Sequence, residues 1–385
     1  MKREEISKLL PSLKQDNILL ELPTSYGKTK LALEVCKKRK ADKVLIVVPR
    51  LVLINNWKEE IEKWSSTINP TFVTYVSFPK LAGEWDFVIF DECHHLSERC
   101  RESLKYFTIK NSILLSATVK KDLKVEFQKL FKDLYICKVA VKEAIKENVL
   151  PEPRVYLIPL QLDTKKVNCT IIKNANKGNP ITYEYKDKWR AMSIKNREVI
   201  IKCTEKQYYN DMTNLIEWHK RKIHLPMHKN LYLHKCGERL KWLSNKKTGF
   251  VQALLRYLSN YRTLTFCNSI VQTEVLGRYC INSKNADARE YLELFNMGKI
   301  NHITACNMLD EGINLSSCKI GIYASLNSSE RMITQKLGRL LRHPNPVIII
   351  PYYKDTRDEE IVKKMCQDYN PELINVIKDI KDLKS

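Results

Sequence analysis

The chain has 385 residues, with 66 Lys and Arg against 44 Asp and Glu and a formal net charge of +22. That length exceeds one ordinary domain and suffices for two with real apolar cores, which excludes a small disulfide-stapled scaffold. A surplus of +22 calls for a polyanionic partner, nucleic acid ahead of an anionic membrane surface.

The 12 cysteines include no C-x₂-C or C-x₄-C pair. They read as reduced thiols packed in a cytoplasmic protein, not as a zinc or iron–sulfur framework. No apolar run is long enough to span a bilayer, and the opening MKREEISKLL lacks the apolar stretch of a signal peptide. The expectation is a chain without membrane association; nothing in the sequence sets its oligomeric state, and a monomer is compatible with it.

In chain order, residues 17–140 alternate short apolar runs with amphipathic stretches, the pattern of a parallel α/β sheet. The runs are Ile18–Leu22, Val44–Val48, Phe72–Val76, Phe87–Phe90, Ile113–Leu115 and Leu134–Val139. Leu53, Trp57, Ile61 and Trp64 recur at helical spacing and predict one apolar helix face for core packing. Pro151 and Pro153 punctuate the chain before PRVYLIPL resumes as a strand at 153–160, so lobe one is expected over 1–150 and lobe two over 151–385.

Residues 164–247 differ in character: 20 Lys/Arg stand against 7 Asp/Glu, with three of the six tryptophans. Helical periodicity appears over 204–222 and 231–259, so this reads as a basic, largely helical insertion. Tyr183, Tyr185, Trp189, Tyr208, Tyr209, Trp218 and Trp242 lie among its lysines. Over 204–245 these aromatics are expected in helix cores. The cations, among them Lys220, Arg221 and Lys222, are expected on phosphates. Alternation then returns: strand 263–267, helix 269–281, helix 287–298, strands 302–306 and 319–324, helix 329–342, strand 347–351 and a helical tail.

Three motifs carry the chemistry. LPTSYGKT at 22–29 follows a strand and opens a helix. Backbone N–H groups of Leu22, Pro23 excepted for want of one, and of Thr24, Ser25, Tyr26 and Gly27 can cradle phosphates there. The Lys28 ammonium can reach the β/γ oxygens and the Thr29 hydroxyl can ligate Mg²⁺. DECHH at 91–95 ends an apolar strand. Asp91 is placed to hold magnesium, and Glu92 to orient or deprotonate an attacking water. Cys93, His94 and His95 are adjacent and would face different ways, which argues against a metal cluster. QKLGRLLRH at 335–343 puts Arg339 and Arg342 three apart, on one helix face, as arginine fingers reaching a γ-phosphate from a second lobe.

With these motifs in this order, the chain resembles a superfamily 2 helicase of the DExH type. VPR at 48–50 resembles the strand-contacting motif with Pro49 and Arg50, and TYVS at 74–77 resembles the next, with Thr74. SAT at 116–118 resembles the motif that couples nucleotide state to strand binding, through Ser116 and Thr118. TLTFCNS at 263–269 and TACNMLDEGINL at 304–315 are similar to the first two motifs of the second lobe. The resemblance implies nucleotide contacts at Gly312, Asn314 and Gln335 and a strand contact at Thr304. It implies two RecA-like parallel-sheet lobes, ATP and Mg²⁺ bound between them, and DNA as partner. LELPTSYGKT, DECHH, GERLKWLSNK at 237–246 and REYLELFNMGKI at 289–300 are most similar to the UvsW, RecG and type III restriction group of duplex-DNA motors. Small size and a Lys- and Asn-rich, Gly-poor composition fit a phage or viral member. Departures are Leu22 and Ser25 in the phosphate loop and Lys336 where Arg is common. The adenine-reading Gln has no counterpart, since Gln15 is too near the loop. An RNA helicase of the DExH type, or a motor subunit of a larger complex, stays open as an alternative.

Overall fold

The apolar pentads become strands because both faces of their sheets are covered. The run VLIVV, for example, is buried at all five positions. The computed structural model describes residues 11–64, 67–306, 318–327, 340–367 and 369–383.

Lobe one contains β1 (Asn17–Glu21), α1 (Lys28–Lys38), β2 (Val44–Val48), α2 (Val52–Trp64), β3 (Thr71–Thr74), β4 (Gly83–Phe90), β5 (Phe107–Ser116) and β6 (Tyr135–Lys138). The sheet order is β3-β2-β4-β5-β1-β6, with every pair parallel. β1, β5 and β4 are therefore successive neighbours, and their C-terminal ends carry LPTSYGKT, SAT and DECHH. A parallel sheet delivers all its C-terminal ends to one edge, which gathers three distant motifs into one crevice. Leu53, Trp57 and Ile61 are the buried face of α2, as their spacing implies.

The second large sheet starts with β7 (Arg154–Leu160). Between β7 and the rest, β8 (Cys169–Lys173), β9 (Ile181–Glu184) and β10 (Val199–Cys203) form a small sheet of their own, ordered β8-β10-β9. Two long helices follow, α3 (Glu205–Arg221) and α4 (Pro226–Tyr257). The remaining elements are β11 (Thr263–Cys267), α5 (Ile270–Leu276), β12 (Cys280–Ile281), α6 (Ala288–Asn296), β13 (His302–Cys306), β14 (Ile320–Tyr323), β15 (Val347–Tyr353), α7 (Arg357–Cys366) and β16 (Ile374–Val376). The order is β12-β13-β11-β14-β15-β7-β16, again parallel throughout.

Three details differ from the sequence expectations. The helix expected over 269–281 ends at Leu276, where Gly277 turns extended and Cys280–Ile281 joins the sheet edge. The basic segment holds a three-stranded sheet ahead of its helices, and the tail adds β16 beside β7. The helix expected over 329–342 lies outside the described residues except at its end. Among the described residues no helix is long and apolar enough to cross a membrane, and all 12 cysteines are free thiols.

His302, at the start of β13, sits with Nε2 3.2 Å from Thr265 Oγ1. Burial pushes its pKa from 6.5 down to about 4. The folded lobe thus holds a neutral imidazole. Stability is full above pH 6.5 and falls as pH drops toward 4, by about 3 kcal/mol. Denaturant titrations of the chain at pH 7 and pH 5 should show about 2 kcal/mol of this loss, and His302→Gln should flatten it.

Candidate nucleotide site at the lobe interface

The loop LPTSYGKT is anchored to the core of lobe one. The side chains of Leu22 and Tyr26 pack into that core. The Leu22 N–H donates to Ser116 O at 3.1 Å and the Tyr26 N–H to Pro23 O at 3.2 Å, so these two N–H groups are engaged within the protein rather than offered to phosphate as the sequence suggested. Gly27 caps α1 in the left-handed region, at φ 101°, where glycine carries no penalty. Ser25, standing where the family pattern has glycine, also adopts φ 69°. A side chain there costs on the order of 1 kcal/mol. Thr24 Oγ1 is buried with no hydrogen-bond partner.

Lys28 Nζ donates to Leu22 O at 3.3 Å and lies 3.9 Å from Glu92 Oε1. The two ends of the site, on β1 and β4, are therefore in reach of each other. Glu92 is left-handed, at φ 47°, a strained turn that aims its carboxylate back over the strand end. Asp91 is fixed twice, by Trp57 Nε1 donating to Oδ2 at 2.9 Å and by Tyr75 OH donating to its carbonyl at 2.8 Å. Burial, and then the adjacent Glu92 carboxylate, raises the Asp91 carboxyl above the usual range, against the Trp57 bond and Lys28. Such a carboxylate gains from a cation.

A polar chain leaves this site. His94 Nδ1 lies 3.3 Å from Glu92 Oε2 and 3.2 Å from Ser116 Oγ. Ser116 Oγ in turn donates to Thr118 O at 3.0 Å. His94 thus stands between Glu92 and Ser116, within reach of two motifs that lie apart in the sequence.

Arg342 reaches in from lobe two, its Nε donating to Ser25 Oγ at 3.3 Å. Desolvation lowers its pKa, and Glu60 on α2 opposes that shift. Gly321 on β14 makes room for this approach. A Cβ there would come 2.1 Å from Leu340 Cδ1, and Leu340 itself is fully buried two residues before the arginine. Trp57, Tyr75, Glu60 and Gly321 were not legible as site residues; Trp57 was expected only in the core.

Of the other expected site residues, Arg339, Gly312, Asn314 and Gln335 lie outside the described residues, as does Lys336. Arg50 is exposed after β2, with Pro49 and Thr74 partly exposed beside it. Thr304 is a correction. It is fully buried, and its hydroxyl donates to Thr273 O at 3.1 Å, so it presents nothing to a strand. Its position in β13 points it into the lobe. Lys220 and Arg221 are exposed and Lys222 partly so, whereas Lys247 is fully buried against Asp358. Among the described residues no group of three or more His, Cys, Asp or Glu forms a metal cage.

Comparison with known proteins bears on the fold and on the activity. Residues 1–76 match the family described as type III restriction enzyme, res subunit, and residues 246–344 match the helicase conserved C-terminal domain. The DNA 3'-5' translocase XPB2 of Sulfurisphaera tokodaii is 24% identical over 381 residues, covering 93% of this chain and 80% of that protein. The Hef helicase domain of Pyrococcus furiosus superposes with TM-score 0.54 at 14% identity, covering 94% of this chain and 98% of that one. S. cerevisiae Dbp5, in a complex with RNA and ADP BeF3, gives TM-score 0.56 at 11% identity, with 97% and 88% covered. Two helicase segments on two RecA-like lobes, with LPTSYGKT, Asp91–Glu92 and Arg342 meeting where the lobes touch, mark this chain as an ATP-dependent helicase or translocase.

Proposed function

We propose that the chain couples ATP hydrolysis to movement along duplex or branched DNA, as a DExH-type motor akin to the UvsW, RecG and type III restriction group. The observation that carries this is the match, over nearly the whole chain, to a protein named as a DNA 3'-5' translocase. The net charge of +22 supports a nucleic-acid track. The Lys- and Asn-rich, Gly-poor composition fits a phage or viral origin.

In this reading, Lys28 and the loop N–H groups hold the β- and γ-phosphates, and Glu92 takes the proton of the attacking water. His94 holds Glu92 in place and passes its position to Ser116 and Thr118. Arg342, with Arg339, steadies the charge that develops on the γ-phosphoryl group. The orphaned Thr24 hydroxyl and the raised Asp91 carboxyl fit a magnesium–nucleotide pair. Thr29 and Asp91 would hold the metal, which when bound offsets phosphate charge. Glu92→Gln is expected to keep nucleotide affinity and lose turnover, whereas Lys28→Ala loses both. Fluorescent-nucleotide binding and phosphate release measured on the same samples separate the two.

The substrate is tested by steady-state ATPase at one salt concentration with forked DNA, duplex DNA and single-stranded RNA. Forked or duplex DNA should stimulate most. Equal or greater stimulation by RNA replaces this proposal with an RNA helicase, and no stimulation by either replaces it with a motor subunit awaiting a partner. Lys220→Glu, Arg221→Glu and Lys222→Glu together should lower the slope of log affinity against log salt by about 3, one per lost phosphate contact.

A further inference from the structure

α3 and α4 form an antiparallel arm joined by residues 222–225. Its root is fixed to lobe two. Lys247 pairs with Asp358 at 2.8 Å with both side chains buried, and Lys246 pairs with Glu205 at 2.8 Å. From Lys247 the arm runs roughly 30 Å to its tip at the helical rise of 1.5 Å per residue. Over 214–235 only Ile216, His219 and His228 are buried, so this end of the arm is largely exposed among the described residues.

The tip is nonetheless stiff. His219 Nδ1 and His228 Nδ1 lie 3.0 Å apart across the two helices. The Trp218 ring meets both imidazoles edge-on, at 4.8 Å and 5.0 Å, and Lys222 Nζ sits 4.2 Å over Trp218. Beyond that brace the turn exposes Ile223, Leu225 and Met227, the last at 67%. Aliphatic side chains at a rigid end, with no packing partner among the described residues, are costly in water and imply an apolar surface to meet. The flanks are cationic. Arg221, Lys222 and Lys229 have no acidic partner among the described residues, and Lys220 has Glu217 at 3.6 Å. An apolar wedge between cations matches the end of a nucleic-acid duplex, where a stacked base pair is bordered by two phosphate backbones. A protein partner would have to be acidic as well as apolar.

We infer that the arm tip is a wedge: Ile223, Leu225 and Met227 press on the base pair at a DNA fork while Arg221, Lys222 and Lys229 straddle its phosphates. This rests on the proposal that DNA is the track. Opening a base step costs a few kcal/mol, so loss of the wedge slows fork opening about tenfold or more.

The full chain is mixed with a fork carrying 2-aminopurine in the base pair next to the junction, without nucleotide. The wild-type chain should raise its fluorescence. Ile223→Ser, Leu225→Ser and Met227→Ser combined should bind the fork with affinity close to wild type, keep ATP turnover on single-stranded DNA, and lose the rise. Leu215→Ser with Leu233→Ser, which removes exposed apolar surface lower on the arm, should keep it. A rise that survives the triple substitution overturns the wedge while leaving the motor intact, and then an acidic protein partner is the better reading of the tip. A wild-type chain that neither binds forks nor hydrolyses ATP on DNA overturns the track proposal, and the wedge with it.

Discussion

Arg342→Ala is expected to cut ATP turnover by about 10³–10⁵-fold, the range seen when an arginine that completes a phosphoryl-transfer site is lost. The side chain crosses from lobe two to Ser25 at 3.3 Å, so it already reaches the loop proposed to cradle phosphate. The guanidinium is partly buried and so partly desolvated before the reaction begins, and a charge in a drier site acts at greater strength. Glu60 facing it from α2 compensates that desolvation in the folded chain. Arg342→Lys should recover little, because a point charge cannot reproduce the planar fork. Nucleotide and DNA binding should survive in both variants, since the lost contact matters most as charge moves. Single-turnover phosphate release checks this directly, and a variant hydrolysing at the wild-type rate would remove Arg342 from the site. Gly321→Ala should resemble a weaker version, by pushing Leu340 and the arginine beyond it out of place.

The largest expected effect on stability is at Lys247. Its ammonium is fully buried, 2.8 Å from Asp358 Oδ2, and Asp358 is 1% exposed. Removing one member of such a pair leaves the other charged and dry, which costs about 3–5 kcal/mol. Lys247→Ala should therefore shift the unfolding of lobe two sharply in a denaturant titration. Lys247→Met with Asp358→Leu should regain much of that, because two apolar groups need no partner. Because α4 runs through Lys247 into the arm, the single variant should also loosen the arm, visible as faster amide exchange over 226–246. A Lys247→Ala chain as stable as wild type would overturn this reading of the pair.

Much of this was legible in the sequence, for reasons particular to each element. The central strands of the two large sheets are short runs covered on both faces, so composition alone marks them, and β2, β11 and β13 fall where the sequence puts them. β8, β9 and β10 were hidden because they are only four or five residues long, partly exposed and set among many lysines, so no apolar run stands out in CTIIK, ITYE and VIIKC. The ends of β1, β4 and β5 were legible as motifs, but their adjacency depends on strand order, which no local pattern contains. Partners far apart in sequence were invisible for the same reason: Ser25 and Arg342 are 317 positions apart, and Trp57 and Asp91 are 34. Thr304 failed because a motif match does not say which face of its strand a residue occupies.

The strand order of lobe two sets a timetable for synthesis. Lobe one has all six strands once residue 138 has left the ribosome, and can close its core at once. β7 emerges soon after, but its neighbours β15 and β16 are the last two strands of the chain. Until they arrive, Val155–Ile158, buried in the finished lobe, is an apolar edge with both sides open, the arrangement most prone to pair with a wrong chain. A nascent polypeptide stalled anywhere between the arm and residue 374 therefore carries a finished first lobe tethered to an adhesive strand. Translation speed over that stretch, and access of chaperones to it, should set the soluble yield more than the stability of the completed protein does.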